Sequence, residues 1–380
     1  MTTSSPLFAR AQYVLHFTDL LRQIGAPVDR ELARAKLPTY LEEMPNAYIS
    51  EDFAYRFLMR CSAQEGIDDL GFEAGWGFHL EDLGPEMLNA MKSKSTVKER
   101  IKTFNRFAQL EANSLQCMLV PEGNAVRVCI HELYPQDVDI RISEWQSIKL
   151  FIEIIRSGIG TDWLPSEISL RSSRKVCLSV LDRLNVPNVL VGQPTTSFLV
   201  PASLLFALVK PCGIADTSVV NQLSAEPTCD SLVGTLQMVL KPYLLSSSYP
   251  SIDLAAEIAG ISSRTLQRLL KQHQVTYTDL IENMRFDLAA HMLADSEQNI
   301  IDIALQLGYE HTPNFSRAFK RIFGVTPMEF RKDNLALPQI EWVNISIEPT
   351  NTPLSVIPAE AGIQCLLAPG RWIPAKNVQE

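Results

Sequence analysis

Arginine, glutamine and lysine recur in one segment near the carboxyl end of the chain, at a spacing that places them on one helical face. They are Arg264, Gln267, Arg268 and Lys271, separated by steps of three, one and three residues. Arg and Gln can each form paired hydrogen bonds to purine edges in the major groove of DNA. No acidic residue occurs within residues 263–273. The segment is therefore predicted to meet the phosphates and bases of a DNA duplex.

A second segment further along the chain repeats this pattern. In residues 311–322, Phe315, Ala318 and Phe319 form an apolar stripe that would pack inward. The polar residues left for DNA are Thr312, Asn314, Ser316, Arg317, Lys320 and Arg321. The solvated face of an ordinary helical bundle would explain one such segment as well as DNA binding does. Two acid-free segments favour a sequence-specific reader of duplex DNA.

Both segments come second in a helix-turn-helix pattern. In residues 251–272, Ser251 is suited to cap the first helix, Gly260 to end it and Ser262 to cap the second. Residues 299–321 repeat the arrangement. One helix-turn-helix pattern is a weak signal, whereas two in tandem predict a DNA-binding domain. A helical adaptor that contacts other proteins is the alternative from a different class.

Composition excludes several classes of protein. The chain has 380 residues, 46% of them hydrophobic, and a formal net charge of −9 at pH 7. This acidic balance argues against an unspecific nucleic-acid coat and against a polybasic membrane binder. The seven cysteines form no CxxC pair and no zinc spacing with histidine. No signal peptide and no run of ~20 apolar residues is found, so we expect a cytoplasmic protein. Because no metal-binding or cofactor-binding motif is found either, we expect no metal or other cofactor.

The pattern along the chain predicts two domains, a linker and a tail. Residues 1–212 mix helical and strand-like stretches and predict an α+β domain. Residues 213–229 are polar and weakly periodic, as is typical of a linker. Residues 230–334 predict an all-α domain in which a long helix joins the two helix-turn-helix motifs. Residues 335–380 carry six prolines and no sustained period, which is typical of a disordered tail.

The first domain contains recognisable elements but no recognisable enzyme motif. Helices are predicted where apolar residues return every three or four positions, at residues 11–24, 51–64, 96–110 and 144–157. Strands are predicted at residues 115–120, 125–132, 167–171 and 188–191, with a turn at 121–124 joining the first two. No GxSxG elbow, P-loop or dinucleotide fingerprint occurs. We therefore expect no catalytic activity.

Residues 308–331, GYEHTPNFSRAFKRIFGVTPMEFR, are similar throughout to the signature of the AraC/XylS family of bacterial transcription regulators. The resemblance is close over residues 251–331. It implies that two recognition helices enter successive major grooves on one face of DNA, joined by a long helix at about residues 277–293. By motif position, the implied base-reading residues are Arg264, Gln267, Arg268, Thr312, Asn314 and Arg317. One departure is Gln274, because the family often has glycine after the first recognition helix.

Residues 185–212 and 70–84 resemble, more loosely, the arabinose-binding-type sensor domain of many regulators in this family. The resemblance covers about residues 20–212 and implies effector sensing, and dimerisation as a further role, without implying arabinose. The expected partners are promoter or operator DNA, RNA polymerase if the chain is an activator, a small-molecule effector, and a second copy of the chain. A regulator without any effector, controlled by its abundance or by a protein partner, remains the alternative.

Overall fold

The computed structural model describes residues 6–133, 140–209, 232–245, 249–272, 274–295 and 298–332. The predicted linker at 213–229 and the predicted tail at 335–380 lie outside these residues. The α-helices are α1 Gln12–Gln23, α2 Val28–Arg34, α3 Glu51–Glu65, α4 Leu70–Gly75, α5 Pro85–Lys92, α6 Val97–Phe107, α7 Arg141–Ile159, α8 Leu178–Leu184, α9 Ala202–Leu205, α10 Leu232–Leu240, α11 Ile252–Ile258, α12 Ser263–Gln272, α13 Tyr277–Asp295, α14 Ile300–Gln306, α15 Thr312–Phe323 and α16 Pro327–Lys332. None of these helices has the length and apolar character needed to cross a membrane.

The N-terminal region is built on two sheets. Its strands are β1 Phe8–Arg10, β2 Tyr48–Ser50, β3 Leu115–Glu122, β4 Ala125–Glu132, β5 Glu167–Ser169, β6 Asn188–Leu190 and β7 Thr196–Pro201. β1 and β2 pair antiparallel, and the other five form a sheet of order β3-β4-β7-β5-β6 in which only β5 and β6 are parallel. The predicted α+β class of this region is confirmed.

The four predicted helices of this region correspond to α1, α3, α6 and α7, each within three residues at either end. The predicted turn at 121–124 is wrong at its first half. Pro121 pairs with Val126 and Glu122 with Ala125, so the turn is confined to Gly123 and the residue after it. Gly123 has a φ of 60°, a conformation that costs glycine nothing and so permits the tighter turn.

Strand β7 lies at the centre of the sheet and was not predicted. Its burial does not alternate, because Thr196, Ser197 and Phe198 are buried in succession. A strand covered on both faces loses the period-two signal on which sequence analysis depends. The Thr196 hydroxyl donates to the buried carboxylate of Glu144 on α7 at 2.5 Å, so a polar residue is accommodated in the core. Helix α7 packs across the sheet at this point.

Three apolar cores run through the described residues. One lies between the five-stranded sheet and helices α6 and α7. A second contains the apolar faces of α1, α2 and α3 together with those of α10, α11 and α12. The third joins the end of α13 to α14 and α15 around Phe286, Phe315 and Phe319. The first helix-turn-helix motif therefore shares a core with the N-terminal region, while the second has a core of its own.

Candidate DNA-binding surface

The first helix-turn-helix consists of α11 and α12, and its predicted signals are all present. The Ser251 hydroxyl accepts a hydrogen bond from the backbone N–H of Leu254 at 3.1 Å, which caps α11. Gly260 has a φ of 64° and ends that helix. The Ser262 hydroxyl accepts from the N–H of Thr265 at 3.2 Å and starts α12. These caps fix where α12 begins and hence which side chains face outward.

Helix α12 turns its apolar face into the shared core and its basic face to solvent. Leu266 and Leu270 are buried, with 0% and 1% of their surface exposed. The predicted contact residues on the opposite face are all exposed: Arg264, Gln267, Arg268 and Lys271. Among the described residues, no carboxylate forms an ion pair with Arg264, Arg268 or Lys271. They are therefore free to meet phosphate oxygens or base edges.

The second helix-turn-helix consists of α14 and α15. Gly308, with a φ of 73°, makes the turn between them. Pro313 occupies the first turn of α15, where its missing N–H has no intrahelical partner to lose. Phe315 and Phe319 are completely buried on the inner face of α15, and Gly324 ends the helix with a φ of 75°. This motif thus repeats the geometry of the first.

The predicted contact residues on α15 are in three different situations. Lys320 is exposed without an ion pair among the described residues, whereas Thr312 and Ser316 are half-buried at the edges of the face. The Arg317 guanidinium donates to the side-chain oxygen of Asn314 at 2.7 Å, so these two residues restrain one another. Among the predicted contact residues, only Arg321 forms an ion pair with a carboxylate of the described residues.

Arg321 is held by a carboxylate of the linking helix. Its guanidinium donates to the Glu282 carboxylate on α13 at 2.5 Å, and both side chains are partly exposed. Exposed ion pairs of this kind contribute only about 0–1 kcal/mol. Arg321 can therefore exchange Glu282 for a phosphate at little cost, although without DNA it is already paired. The predictions for all ten contact residues remain predictions, which mutation can test.

A cluster around Arg285 connects the two motifs, and we call it the Arg285 junction. The Arg285 guanidinium on α13 lies 4.1 Å from the ring centre of Tyr249 and 4.5 Å from that of Tyr309. It also donates a hydrogen bond to the carbonyl oxygen of Leu307, which accepts a second one from the Tyr249 hydroxyl. Tyr249 precedes α11, while Leu307 and Tyr309 flank the turn of the second motif. The junction thus fixes one motif relative to the other.

Sequence analysis did not identify the Arg285 junction, although one signal was present. Arg285 is a lone cation between the buried residues Met284 and Phe286 of α13. A charged residue at such a position needs partners, because leaving it buried and unpaired is costly. Its partners lie in other elements and could not be named from spacing alone.

The one departure from the family pattern, Gln274, is accommodated in the backbone. Gln274 has a φ of 58°, which is the left-handed conformation that glycine adopts easily at the end of a helix. The turn after α12 is therefore preserved. It includes hydrogen bonds from the N–H groups of Gln274 and Val275 to the carbonyl oxygens of Lys271 and Leu270. The cost is a strained backbone at a residue with a β-carbon.

The N-terminal region contacts the first motif through two ion pairs to Glu257 of α11. These ion pairs were not predicted from the sequence. The Arg56 guanidinium on α3 donates to the Glu257 carboxylate at 2.9 Å, and the Lys36 ammonium pairs with its other oxygen. The hydrogen bond from Lys36, followed by that from Arg56, lowers the pKa of Glu257 below its ordinary value. These residues are separated by some 200 positions in the chain, so no local pattern could associate them.

Two family models match the chain. One, described as a helix-turn-helix domain, matches residues 255–333. The other, the arabinose-binding domain of AraC transcription regulators, matches residues 25–207. The regulatory protein SoxS of Escherichia coli is 42% identical over 83 residues, which are 21% of this chain and 77% of SoxS. The chain belongs to the AraC family of transcription regulators.

Two further relatives extend the comparison. The regulator VirS of Mycobacterium tuberculosis is 23% identical over 328 residues, which are 85% of this chain and 96% of VirS. The ornithine utilization regulator of Pseudomonas aeruginosa is 29% identical over 133 residues. That match spans 33% of this chain and only 39% of the relative's length. These relatives are transcription regulators rather than enzymes, and the chain is a DNA-binding regulator with an arabinose-binding-like N-terminal domain.

Proposed function

We propose that α12 and α15 enter two successive major grooves on one face of a DNA duplex and read its sequence. The observation that carries the proposal is the pair of exposed, acid-free helical faces described above, each fixed by caps and a buried apolar stripe. Phosphate contacts would set the register, whereas six side chains would select the bases: Arg264, Gln267, Arg268, Thr312, Asn314 and Arg317.

We further propose that the region of residues 1–212 modulates this DNA binding and that residues 230–334 form the DNA-binding domain. The shared core and the Glu257 ion pairs support the modulation, because Lys36 and Arg56 of the N-terminal region contact α11 directly. A small-molecule effector is the proposed signal. Promoter or operator DNA, RNA polymerase where the chain activates, and a second copy of the chain are the proposed macromolecular partners.

The DNA-reading proposal is tested by Arg268→Ala and Arg317→Ala. Each change should cost about 1–3 kcal/mol of binding, which is roughly 5- to 150-fold in affinity, and relax selectivity at one base position. Selection of bound sequences from a random pool, followed by affinity measurement at fixed salt, provides both readouts. Arg106→Ala, at an exposed position on α6, is the matched control and should bind like the parent protein. Unchanged sequence preference in both variants would favour the helical adaptor.

A further inference from the structure

A cavity of about 730 Å³ lies between the N-terminal region and the helices that carry the first motif. One wall is formed by residues 43–48, and the other by α10, the turn that follows it and α13. Its volume falls within the range of about 300–1,000 Å³ that is typical of small-molecule sites. Neither α12 nor α15 lines it, so it is separate from the DNA-binding surface. We call it the interdomain cavity.

The N-terminal wall of the interdomain cavity is held in place by its own hydrogen bonds. The carbonyl oxygens of Ala47 and Pro45 accept from backbone N–H groups at the start of α1, at 2.7 and 2.9 Å. The side-chain oxygen of Asn46 accepts from the guanidinium of Arg10, which is 5% exposed. A wall fixed in this way exists before any ligand arrives, which lowers the entropy cost of binding.

Apart from its charged groups, the cavity is lined mostly by apolar side chains, several of which are flexible methionines. Its apolar side chains include Met44, Met238, Met284 and Leu288. Methionine is unbranched and polarizable and can fill irregular gaps around different hydrocarbon shapes. Three of these four side chains come from α10 and α13, and Met44 faces them from the N-terminal wall. The lining is suited to a flexible aliphatic chain.

Charged groups of both signs also line the interdomain cavity, and they lack strong partners. Among the described residues, no hydrogen-bond donor reaches the Asp287 carboxylate; Nδ1 of His291 lies 3.8 Å from it and 2.9 Å from the backbone carbonyl oxygen of Asp287. Asp287, His291 and Lys241 all line the cavity. Burial raises the pKa of Asp287, and His291 and Lys241 oppose this effect. Lys241 and Glu43 likewise form no ion pair within the described part of the chain, and both are exposed at the rim of the cavity. Asp287 is partly buried, and a partly buried charge without a partner is costly unless a ligand completes it.

We propose that the interdomain cavity binds a small molecule with an α-ammonium and a carboxylate at one end and a flexible apolar chain at the other. The ammonium would pair with Asp287, the carboxylate with Lys241 and His291, and the chain would lie among the methionines. A ligand with only an anionic head would leave the partly buried Asp287 uncompensated, and one with only a cationic head would oppose Lys241. A head with both charges satisfies both.

This inference rests on the proposed regulation by an effector and gives it a site. A ligand in the interdomain cavity touches residues 43–48 and α13 at once, so it binds only when the first motif is docked on the N-terminal region. Such a ligand shifts the protein toward the docked arrangement, since it has no comparable site in any other. Its effect on DNA would follow from fixing α13, which joins the two motifs, relative to the N-terminal region.

The test uses the full chain and three eight-carbon probes: 2-aminooctanoate, octanoate and octylamine. We expect 2-aminooctanoate to raise the melting temperature, because a ligand specific to the folded state stabilises it, and to bind in calorimetry more tightly than the other two. Asp287→Asn and Lys241→Met should each weaken its binding at least tenfold. Asp19→Asn and Lys102→Met make the same chemical changes at exposed positions outside the cavity and should have no effect.

Met238→Trp is a second kind of variant, since the indole would occupy the cavity without removing a charge. It should abolish 2-aminooctanoate binding while the protein still melts cooperatively. The proposal is overturned if 2-aminooctanoate does not bind, or if the Asp287, Lys241 and Met238 variants bind it like the parent. A parent protein that binds DNA but not the probe would contradict the cavity assignment alone. One that binds the probe but no duplex would contradict the proposed function and leave the cavity assignment supported.

Discussion

Replacing Arg285 by methionine removes the guanidinium of the Arg285 junction while keeping an unbranched apolar side chain of similar length. Two ring contacts, to Tyr249 and Tyr309, and one hydrogen bond to the Leu307 carbonyl are lost. A cation over an aromatic face is worth about 0.5–2 kcal/mol, and a hydrogen bond from a charged group about 1.5–3 kcal/mol. These contributions are not additive, and methionine recovers part of the packing. We therefore expect a loss of about 2–4 kcal/mol in the free energy of unfolding.

The same change should affect DNA binding in a specific way. We call the bases read by one recognition helix a half-site. Because the junction fixes the second motif relative to the first, Arg285→Met should weaken binding to a duplex that carries both half-sites by about tenfold or more. Binding to a duplex with only one half-site should change less than threefold, since the apolar face of each recognition helix stays packed in its core. Arg285→Lys keeps the charge but loses the planar guanidinium fork. Its affinity for the duplex with both half-sites should therefore lie between those of the parent protein and Arg285→Met.

Urea denaturation followed by tryptophan fluorescence measures the stability, and fluorescence anisotropy with both duplexes measures the affinity. Lys102→Met is the control, because it removes an exposed cation on α6 and should change the stability by less than about 0.5 kcal/mol. The reasoning is refuted if Arg285→Met unfolds like the parent protein. It is also refuted if both duplexes lose the same affinity, since the junction would then have no role in relating the motifs.

Three further changes test the local arguments, each by its effect on urea or thermal unfolding. Gln274→Gly should stabilise the protein by about 0.5–1 kcal/mol, because glycine adopts the left-handed conformation at lower cost; a loss of stability would contradict this. Gly308→Ala should cost about 2–4 kcal/mol, since the added methyl group would lie 2.1 Å from the Tyr249 hydroxyl. Gly25→Ala, with a φ of 81° and no atom within 4 Å, is its control and should cost only about 1 kcal/mol.

The third change in this set concerns pH. Burial raises the pKa of Glu132 to about 7, against the lowering effect of the Ser147 and Ser143 hydroxyls that donate to its carboxylate. Because the folded state holds the proton of Glu132 more tightly than the unfolded chain does, protonation stabilises the fold. This stabilisation is complete below pH 4.5, the ordinary pKa of a glutamate, and is lost as the pH rises from 4.5 through 7. At 1.36 kcal/mol per unit, the loss is about 3 kcal/mol at most. Glu132→Gln should therefore gain stability at pH 8 relative to the parent but not at pH 4; an equal effect at both would exclude this explanation.

The helices of the two helix-turn-helix motifs were predictable because their signals are local. Ser251, Gly260 and Ser262 mark helix ends within a few residues of the helices they control, and Phe315 and Phe319 recur at the helical period. Strand β7 was not predictable, because a strand buried on both faces loses its alternation. The pairing of Glu257 with Lys36 and Arg56 was not predictable either, since it depends on how two distant segments dock.

The distribution of cores determines how a signal from the N-terminal region can reach DNA. Met284 belongs to the core that α11 and α12 share with the N-terminal helices, whereas Phe286 begins the separate core of the second motif. The two cores thus meet within α13 around Arg285, and Leu288 packs against both. A change in docking at Glu257 acts on the first motif directly, and reaches α15 through α13 and the Arg285 junction. A ligand in the interdomain cavity instead contacts α13 itself, on both sides of Arg285. Loosening the junction should therefore reduce the influence of docking at Glu257 on the DNA contacts of α15 before its influence on those of α12.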